Sequence, residues 1–224
     1  VQTAAIRRFD GVVVDYYGDG LLAMWNAPAD QPDHAARACR AALALIDELS
    51  SANDKWRHVI RENLALGVGI NTGPALVGNT GSRVKFKYGP MGPAVNLANR
   101  VEGTSKQLGV PIVITGATRS KLDDSFDTRR LCRGRLIGAA EPVDLIELAT
   151  HASSEWNARR DTFEAALTQY ESGRWSECCQ TIYPLLADNA GQYDVPSLSL
   201  LARAVDCLKI APKAFDPVVE FMHK

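Results

Sequence analysis

The stretch GVVVDYYGDGLLAMW, residues 11–25, sets two apolar runs on either side of Tyr17, Gly18 and Asp19. Such runs interrupted by a Gly-Asp pair predict a β-hairpin. Asp19 then sits at the tip, where a rigid support presents its carboxylate. Asp-Gly is a favoured turn pair in its own right. A hard cation such as Mg²⁺ also needs few protein carboxylates, because water and phosphate oxygens complete its shell. The spacing alone leaves turn residue and metal anchor both open.

Working outward, Asp33 is placed to cap a helix over 34–49, rich in Ala and Leu at helical spacing. Residues 64–71 and 75–78 read as a second pair of strands around Thr72, Gly73 and Pro74, and 84–87 as a strand followed by a Gly/Pro-broken loop through Pro93. A helix over 94–108 should end at Gly109. Strands over 110–115, 126–133 and 143–148 complete the pattern. Local strand pairs that then alternate with helices predict an α+β sandwich rather than a doubly wound parallel sheet.

Near residue 150 the glycine-rich strand texture gives way to helical patterns over 155–171, 176–187 and 197–208. This divides the chain into a main domain, 1–150, and a small all-α extension, 151–224. Phe163, Ala166, Leu167 and Tyr170, then Gly173, then Ile182, Leu185 and Leu186 resemble one helix–turn–helix unit of the tetratricopeptide type. One such unit cannot bury its own apolar face, so it should dock on the main domain or continue a stack. An ordinary helical extension packed on the core is the plainer reading.

The chain has 224 residues, 25 Lys+Arg against 26 Asp+Glu, and 46% hydrophobic residues. A formal net charge of −1 removes bulk attraction to nucleic acid or an anionic membrane as a driving force. No window approaches the roughly 18 apolar residues of a membrane span, and no signal peptide opens the sequence. The first residue is Val, which suggests a piece of something longer. Cys39, Cys132, Cys178, Cys179 and Cys207 are an odd, scattered set without CxxC spacing, suited to buried thiols in a reducing, cytoplasmic setting.

Two glycine patterns carry no mechanism. Residues 67–73, GVGINTG, resemble a dinucleotide fingerprint but have the wrong last spacing and run on into a strand. Residues 73–80 have P-loop spacing with Asn79 where a phosphate-binding Lys must stand. His34, His58, His151 and His223 are too dispersed for a metal cage or a triad.

Five blocks taken together are more specific: VVVDYYGDGLLAMWNAP (12–28), QPDHAARACRAALAL (31–45), LALGVGINTGPALVGNTGS (64–82), KYGPMGPAVNLANRVE (87–102) and EPVDLIEL (141–148). In their order and spacing they resemble the class III nucleotide cyclase catalytic domain across about residues 10–148. The resemblance implies the ferredoxin-like-derived sandwich of that family and a wreath-like homodimer with active sites at the seam. It also implies the reaction, in which the ribose 3′-hydroxyl of ATP or GTP attacks the α-phosphate, pyrophosphate leaves, and two Mg²⁺ or Mn²⁺ ions stabilise the charge.

By resemblance Asp19 matches the second metal-binding aspartate, and the first is expected on a strand upstream of this sequence. Asn96 and Arg100 match the catalytic pair that positions the ribose and stabilises the pentavalent phosphate. Their i, i+4 spacing puts both on one helix face, and Arg supplies a fork suited to phosphate. Three positions depart from the family pattern. Asp15 stands where adenylate cyclases carry a purine-reading Lys, Gly89 where its Asp or Thr partner belongs, and Ile137 where a triphosphate-binding Lys belongs. Arg135, and Arg133 near it, are candidate substitutes for that Lys. Asp15 is suited to accept from the N1–H and N2 amine of guanine, as a Glu at this position does in guanylate cyclases. These departures leave a second expectation open, a cyclase-homology domain that has lost turnover and serves as a regulatory or nucleotide-sensing module.

Overall fold

A computed structural model describes residues 2–59, 62–81, 86–186 and 193–222. The chain runs through α1 (Gln2–Arg8), β1 (Val12–Tyr17), β2 (Gly20–Met24), α2 (His34–Trp56), β3 (Val68–Ile70), β4 (Leu76–Gly81), β5 (Phe86–Met91) and α3 (Pro93–Leu108). There follow β6 (Ile112–Thr115), α4 (Gly116–Arg119), β7 (Thr128–Leu136), β8 (Val143–Leu148), α5 (Ser154–Glu171), α6 (Trp175–Ile182), α7 (Val195–Ile210) and β9 (Val219–Phe221).

A mixed sheet in the order β3-β6-β8-β7-β9 forms the centre, with β3/β6 and β7/β9 parallel and the inner pairs antiparallel. Helices cover both faces, which is why β6 is a continuous apolar run rather than an alternating one. Ile112 and Ile114 pack with Ala35, Ala36, Cys39 and Ala42 of α2, and the small side chains let that helix lie close. Val113 faces the other way, into a cluster shared by Val101 of α3, Leu131, Leu136 and Leu145 of the sheet, and Phe163, Leu167, Ile182 and Leu200 of the C-terminal helices. The C-terminal helices and the sheet therefore share one core, and an α+β architecture with a helical C-terminal part is what the structure shows. Burial pushes the Cys39 thiol up to about 12 and those of Cys132 and Cys178 to about 11, so these thiols are held protonated.

Several expectations need correction. Asp33 precedes α2, but its side chain makes no capping bond and instead pairs with Arg37 Nε at 2.7 Å. The stretch 64–71 contributes only the short β3, which pairs with β6, while β4 pairs with β5. The strand expected at 84–87 is β5, which begins within the described residues at Phe86 and continues through Gly89 and Pro90. Pro90 is tolerated there because this two-stranded ribbon has open edges. The edge strand β9 had no counterpart in the sequence reading. The last residue of the pattern at 176–187 and His223 lie outside the described residues.

Candidate functional site

The hairpin β1–β2 turns as expected, with Tyr17 opposite Gly20 and Gly18 at φ +64°. Asp19 is exposed at the tip, and its backbone carbonyl accepts from Gln2 Nε2 at 3.3 Å. Along β1 the register slips between Val13 and Asp15, so Val14 is the extra residue of a bulge. The bulge lets consecutive residues 14 and 15 both meet the β4–β5 ribbon. Val14 fills the space over the buried Gly89, where an added Cβ would lie 2.5 Å from Val14 Cγ1. Asp15 Oδ2 accepts from Lys87 Nζ at 2.6 Å, and its Oδ1 from the Tyr16 backbone N–H at 3.0 Å. The same ammonium reaches Tyr17 Oη at 3.5 Å and lies 5.7 Å from that ring's centroid. The Lys87 hydrogen bond holds the Asp15 carboxyl below its ordinary range, and the Asp15 carboxylate in turn raises the Lys87 ammonium.

Strand β5 leads directly into α3, which starts with Pro93 at its first position and ends on Gly109 in the left-handed conformation. Its first turn is pinned from below. Asn71 Nδ2 donates to the Ala94 carbonyl at 3.0 Å, and Thr115 Oγ1 donates to Asn71 Oδ1 at 2.9 Å. Thr118, fully buried, shares the network through Thr72 Oγ1 at 3.1 Å. On the helix so fixed, Asn96 is exposed and Arg100 half-buried one turn later. The Arg100 guanidinium lies against the β7–β8 turn: a Cβ added at Gly138, where φ is +66°, would be 3.0 Å from Arg100 Nη2. Ile137 is the neighbouring residue of that turn and is 53% exposed.

The structure sets Asp15 and Gly89 on facing strands without bringing them into contact, since Gly89 meets Val14 and Asp15 meets Lys87, and it seats Arg100 beside Gly138. Among the described residues no hydrogen bond or ion pair joins the Asp19 side chain to Asn96 or Arg100. Arg135 is engaged elsewhere, its Nε donating to Glu220 at 2.9 Å with Asp216 at 3.9 Å; Arg133 is exposed. His34 Nδ1 bonds the Gln31 carbonyl, His151 faces Asp47 at 3.5 Å, and His58 is exposed. Among the described residues no three His, Cys, Asp or Glu side chains gather into a metal cage. Asp19 offers one hard oxygen donor at an open tip, which fits a Mg²⁺-class ion that takes its remaining ligands from phosphate and water. Sequence reasoning missed Lys87 and Asn71. Lys87 lies two residues before Gly89, on the same strand face, and that spacing was the available signal.

The model of the family described as the adenylate and guanylate cyclase catalytic domain matches residues 4–141. Adenylate cyclase 1 of Rhizobium meliloti (strain 1021) is 34% identical over 143 residues, 64% of this chain and 22% of that protein. The chain therefore spans about a fifth of that relative's length. The crystal structure of the guanylyl cyclase Cya2 superposes with a TM-score of 0.58 at 28% identity, covering 68% of this chain and 77% of that one. The adenylyl cyclase CyaB from P. aeruginosa shares the fold, with a TM-score of 0.59 at 24% identity over 68% of this chain and 78% of its own. No helix among the described residues is long and apolar enough to cross a membrane. The family model spans more than half of the chain, and the chain belongs to the class III adenylate and guanylate cyclase catalytic domain family.

Proposed function

We propose that this chain is the catalytic part of a cytoplasmic signalling enzyme that converts a nucleoside triphosphate into a 3′,5′-cyclic nucleotide and pyrophosphate at the seam between two copies. The observation that carries the reading is the placement of Arg100. Its guanidinium is seated on the β7–β8 turn, one helical turn after Asn96, on a helix whose start is locked by Asn71. A planar guanidinium so placed suits the charge that builds on the α-phosphate oxygens as the 3′-oxygen attacks and pyrophosphate departs. Asn96, with donor and acceptor on one amide, orients the ribose. Asp15 and Gly89 border the base. Arg135, already paired with Glu220, would have to exchange that partner to reach a phosphate.

Asp19 would hold a Mg²⁺ or Mn²⁺ ion for the site completed by the other copy, and the ion's contribution when bound is neutralisation of the triphosphate. A second copy is supported by the two hairpins that stand outside the main sheet. Tyr16, Tyr17, Leu76 and Phe86 are all more than half exposed there, an unusual concentration of apolar surface.

Incubating the full chain with ATP or GTP and Mg²⁺ or Mn²⁺, and measuring cyclic product, tests the proposal. Product that disappears with Arg100→Ala is expected. A folded dimer that yields none in any of the four combinations overturns it. One feature favours the second reading, a nucleotide-sensing module without turnover: the exposed Ile137 stands, by resemblance, at the position of the family's triphosphate-binding Lys. Thermal stabilisation by nucleotide without product would identify that case.

A further inference from the structure

We infer that the segment 211–222, which follows α7 and carries β9, is an autoinhibitory latch: it holds Arg135 in an ion pair that a bound triphosphate has to break. The inference rests on the reading of this domain as a nucleotide site, and it adds regulation of that site by a strap outside the catalytic elements.

Arg135 is caught between two carboxylates of the strap. Its Nε donates to Glu220 Oε1 at 2.9 Å, and its Nη2 lies 3.9 Å from Asp216 Oδ2. It stands two residues before Ile137, about 7 Å at strand rise, and the turn that follows is the one against which Arg100 lies. Arg135 is thus the cation of β7 nearest in sequence to that turn, and Ile137 supplies none. A phosphate gains this guanidinium only by displacing Glu220. While the strap is docked, its two carboxylates also set negative charge beside the same group and repel a polyanion.

The strap is built for release. An ion pair as exposed as this one adds little to docking, so other contacts hold the segment. β9 is three residues long and pairs in parallel with β7, Gly134 opposite Val219 and Leu136 opposite Phe221. Phe221 enters the space that Gly134 leaves open, where an added Cβ would lie 2.8 Å from its ring. Phe215 packs edge-on against Tyr170 and Trp175, with centroids 5.3 and 5.2 Å apart. The rest of 211–222 is exposed or half-buried. A segment with so few enclosed side chains opens at small cost. Trp175 Nε1, beside Phe215, is buried with no hydrogen-bond partner among the described residues. Lifting Phe215 lets water reach a donor that docking leaves unpaired. Docking and nucleotide binding are linked reciprocally: whatever lifts the strap tightens the nucleotide, and the nucleotide loosens the strap.

Calorimetric binding of the α,β-methylene analogues of ATP and GTP to the full chain, with Mg²⁺, tests the latch without turnover. Glu220→Gln with Asp216→Asn removes both charges and keeps the side chains' size. The analogue that wild type prefers should then bind about tenfold more tightly, the low end for a charge-assisted contact. Arg135→Gln should change wild-type affinity by less than about twofold, yet erase the whole gain in the double variant, the non-additivity of coupled residues. Phe215→Ala loosens the strap without touching the ion pair and should also tighten binding. Hydrogen exchange at the amides of 219–221 should quicken when wild type is saturated with the analogue. A gain that survives Arg135→Gln is general relief of repulsion and overturns the inference. So does unchanged affinity in the double variant or in Phe215→Ala, a wild-type affinity that falls with Arg135→Gln, strap amides indifferent to nucleotide, or a chain that binds neither analogue. An Arg135-dependent gain in a chain that makes no cyclic product sinks the proposed turnover and leaves the latch standing. Cyclic product from a chain whose affinity ignores Glu220 and Asp216 does the reverse.

Discussion

Arg129 and Asp194 are joined by a bidentate pair, Nη1 to Oδ2 and Nη2 to Oδ1, both at 3.0 Å. Arg129 belongs to β7 and Asp194 immediately precedes α7, so the contact ties the sheet to the C-terminal helices. Arg129 Nε also donates to Glu147 of β8 at 2.8 Å, and its guanidinium lies 4.9 Å from the Phe163 ring centroid. The arginine side chain is 2% exposed and the two carboxylates 11% and 9%.

Removing Arg129 would leave two buried acids without their counter-charge. Arg129→Leu is expected to cost about 3–5 kcal/mol, read as a lower urea midpoint. Asp194→Ala additionally removes the α7 cap, since Asp194 Oδ2 accepts from the Ser197 N–H at 3.0 Å. It should cost about 1 kcal/mol more than an exposed Asp→Ala change from the cap alone.

The same network predicts opposed pH responses. Burial works against the Asp194 carboxylate, but hydrogen bonds from Arg129 and Ser197 outweigh it and hold the group below its ordinary 3.8. A lowered folded value means stability present above about pH 3.8 and lost as pH falls through the folded value. Burial raises Glu147 above its ordinary 4.5 despite Arg129. Its contribution is complete below about pH 4.5 and declines as pH rises through the raised value. Urea unfolding at pH 3, 4.5 and 7 should show the deficit of Asp194→Asn shrinking on the acid side. The deficit of Glu147→Gln should shrink toward neutrality.

Arg100→Ala is expected to lower kcat by about 10²–10³ with a much smaller change in KM, and Arg100→Lys to recover only part, because an ammonium cannot replace a planar fork. Gly138→Ala should also lower kcat by crowding that guanidinium, while circular dichroism stays unchanged.

Asp19→Asn removes a formal negative charge from the hairpin tip without changing its shape. The Mn²⁺ concentration giving half-maximal product should rise at least about tenfold, and nucleotide binding measured with the metal chelated should be unaffected.

Gly89→Asp alone is expected to destabilise by about 1–3 kcal/mol, the range for overpacking, because the new Cβ meets Val14. Combining it with Val14→Ala should recover most of the loss in thermal midpoint.

Legibility in the sequence followed the range of the interaction concerned. The hairpin at Gly18, the stop at Gly109 and the strand at 143–148 are local, set by turn chemistry and apolar runs, and all three were readable. Pairings across the chain were not. Nothing in the texture of 64–71 says that it lies beside 112–115 rather than 76–81, and three residues at 219–221 are too few for any periodicity. The candidate site divided similarly. Asp19, Asn96 and Arg100 stand in contiguous motifs, whereas Lys87 meets Asp15 across 72 residues only because a bulge rotates β1.

The shared packing beneath β7 has a practical corollary. Severing the chain after Thr150 would strip the C-terminal members from the cluster that holds Leu131, Leu136, Leu145 and Val101 and take away β9, exposing the flank of β7 for pairing with other molecules. The shortened protein would be a sticky half-core prone to precipitate, so an apparent failure of such a truncate to make product would speak to solubility and not to chemistry.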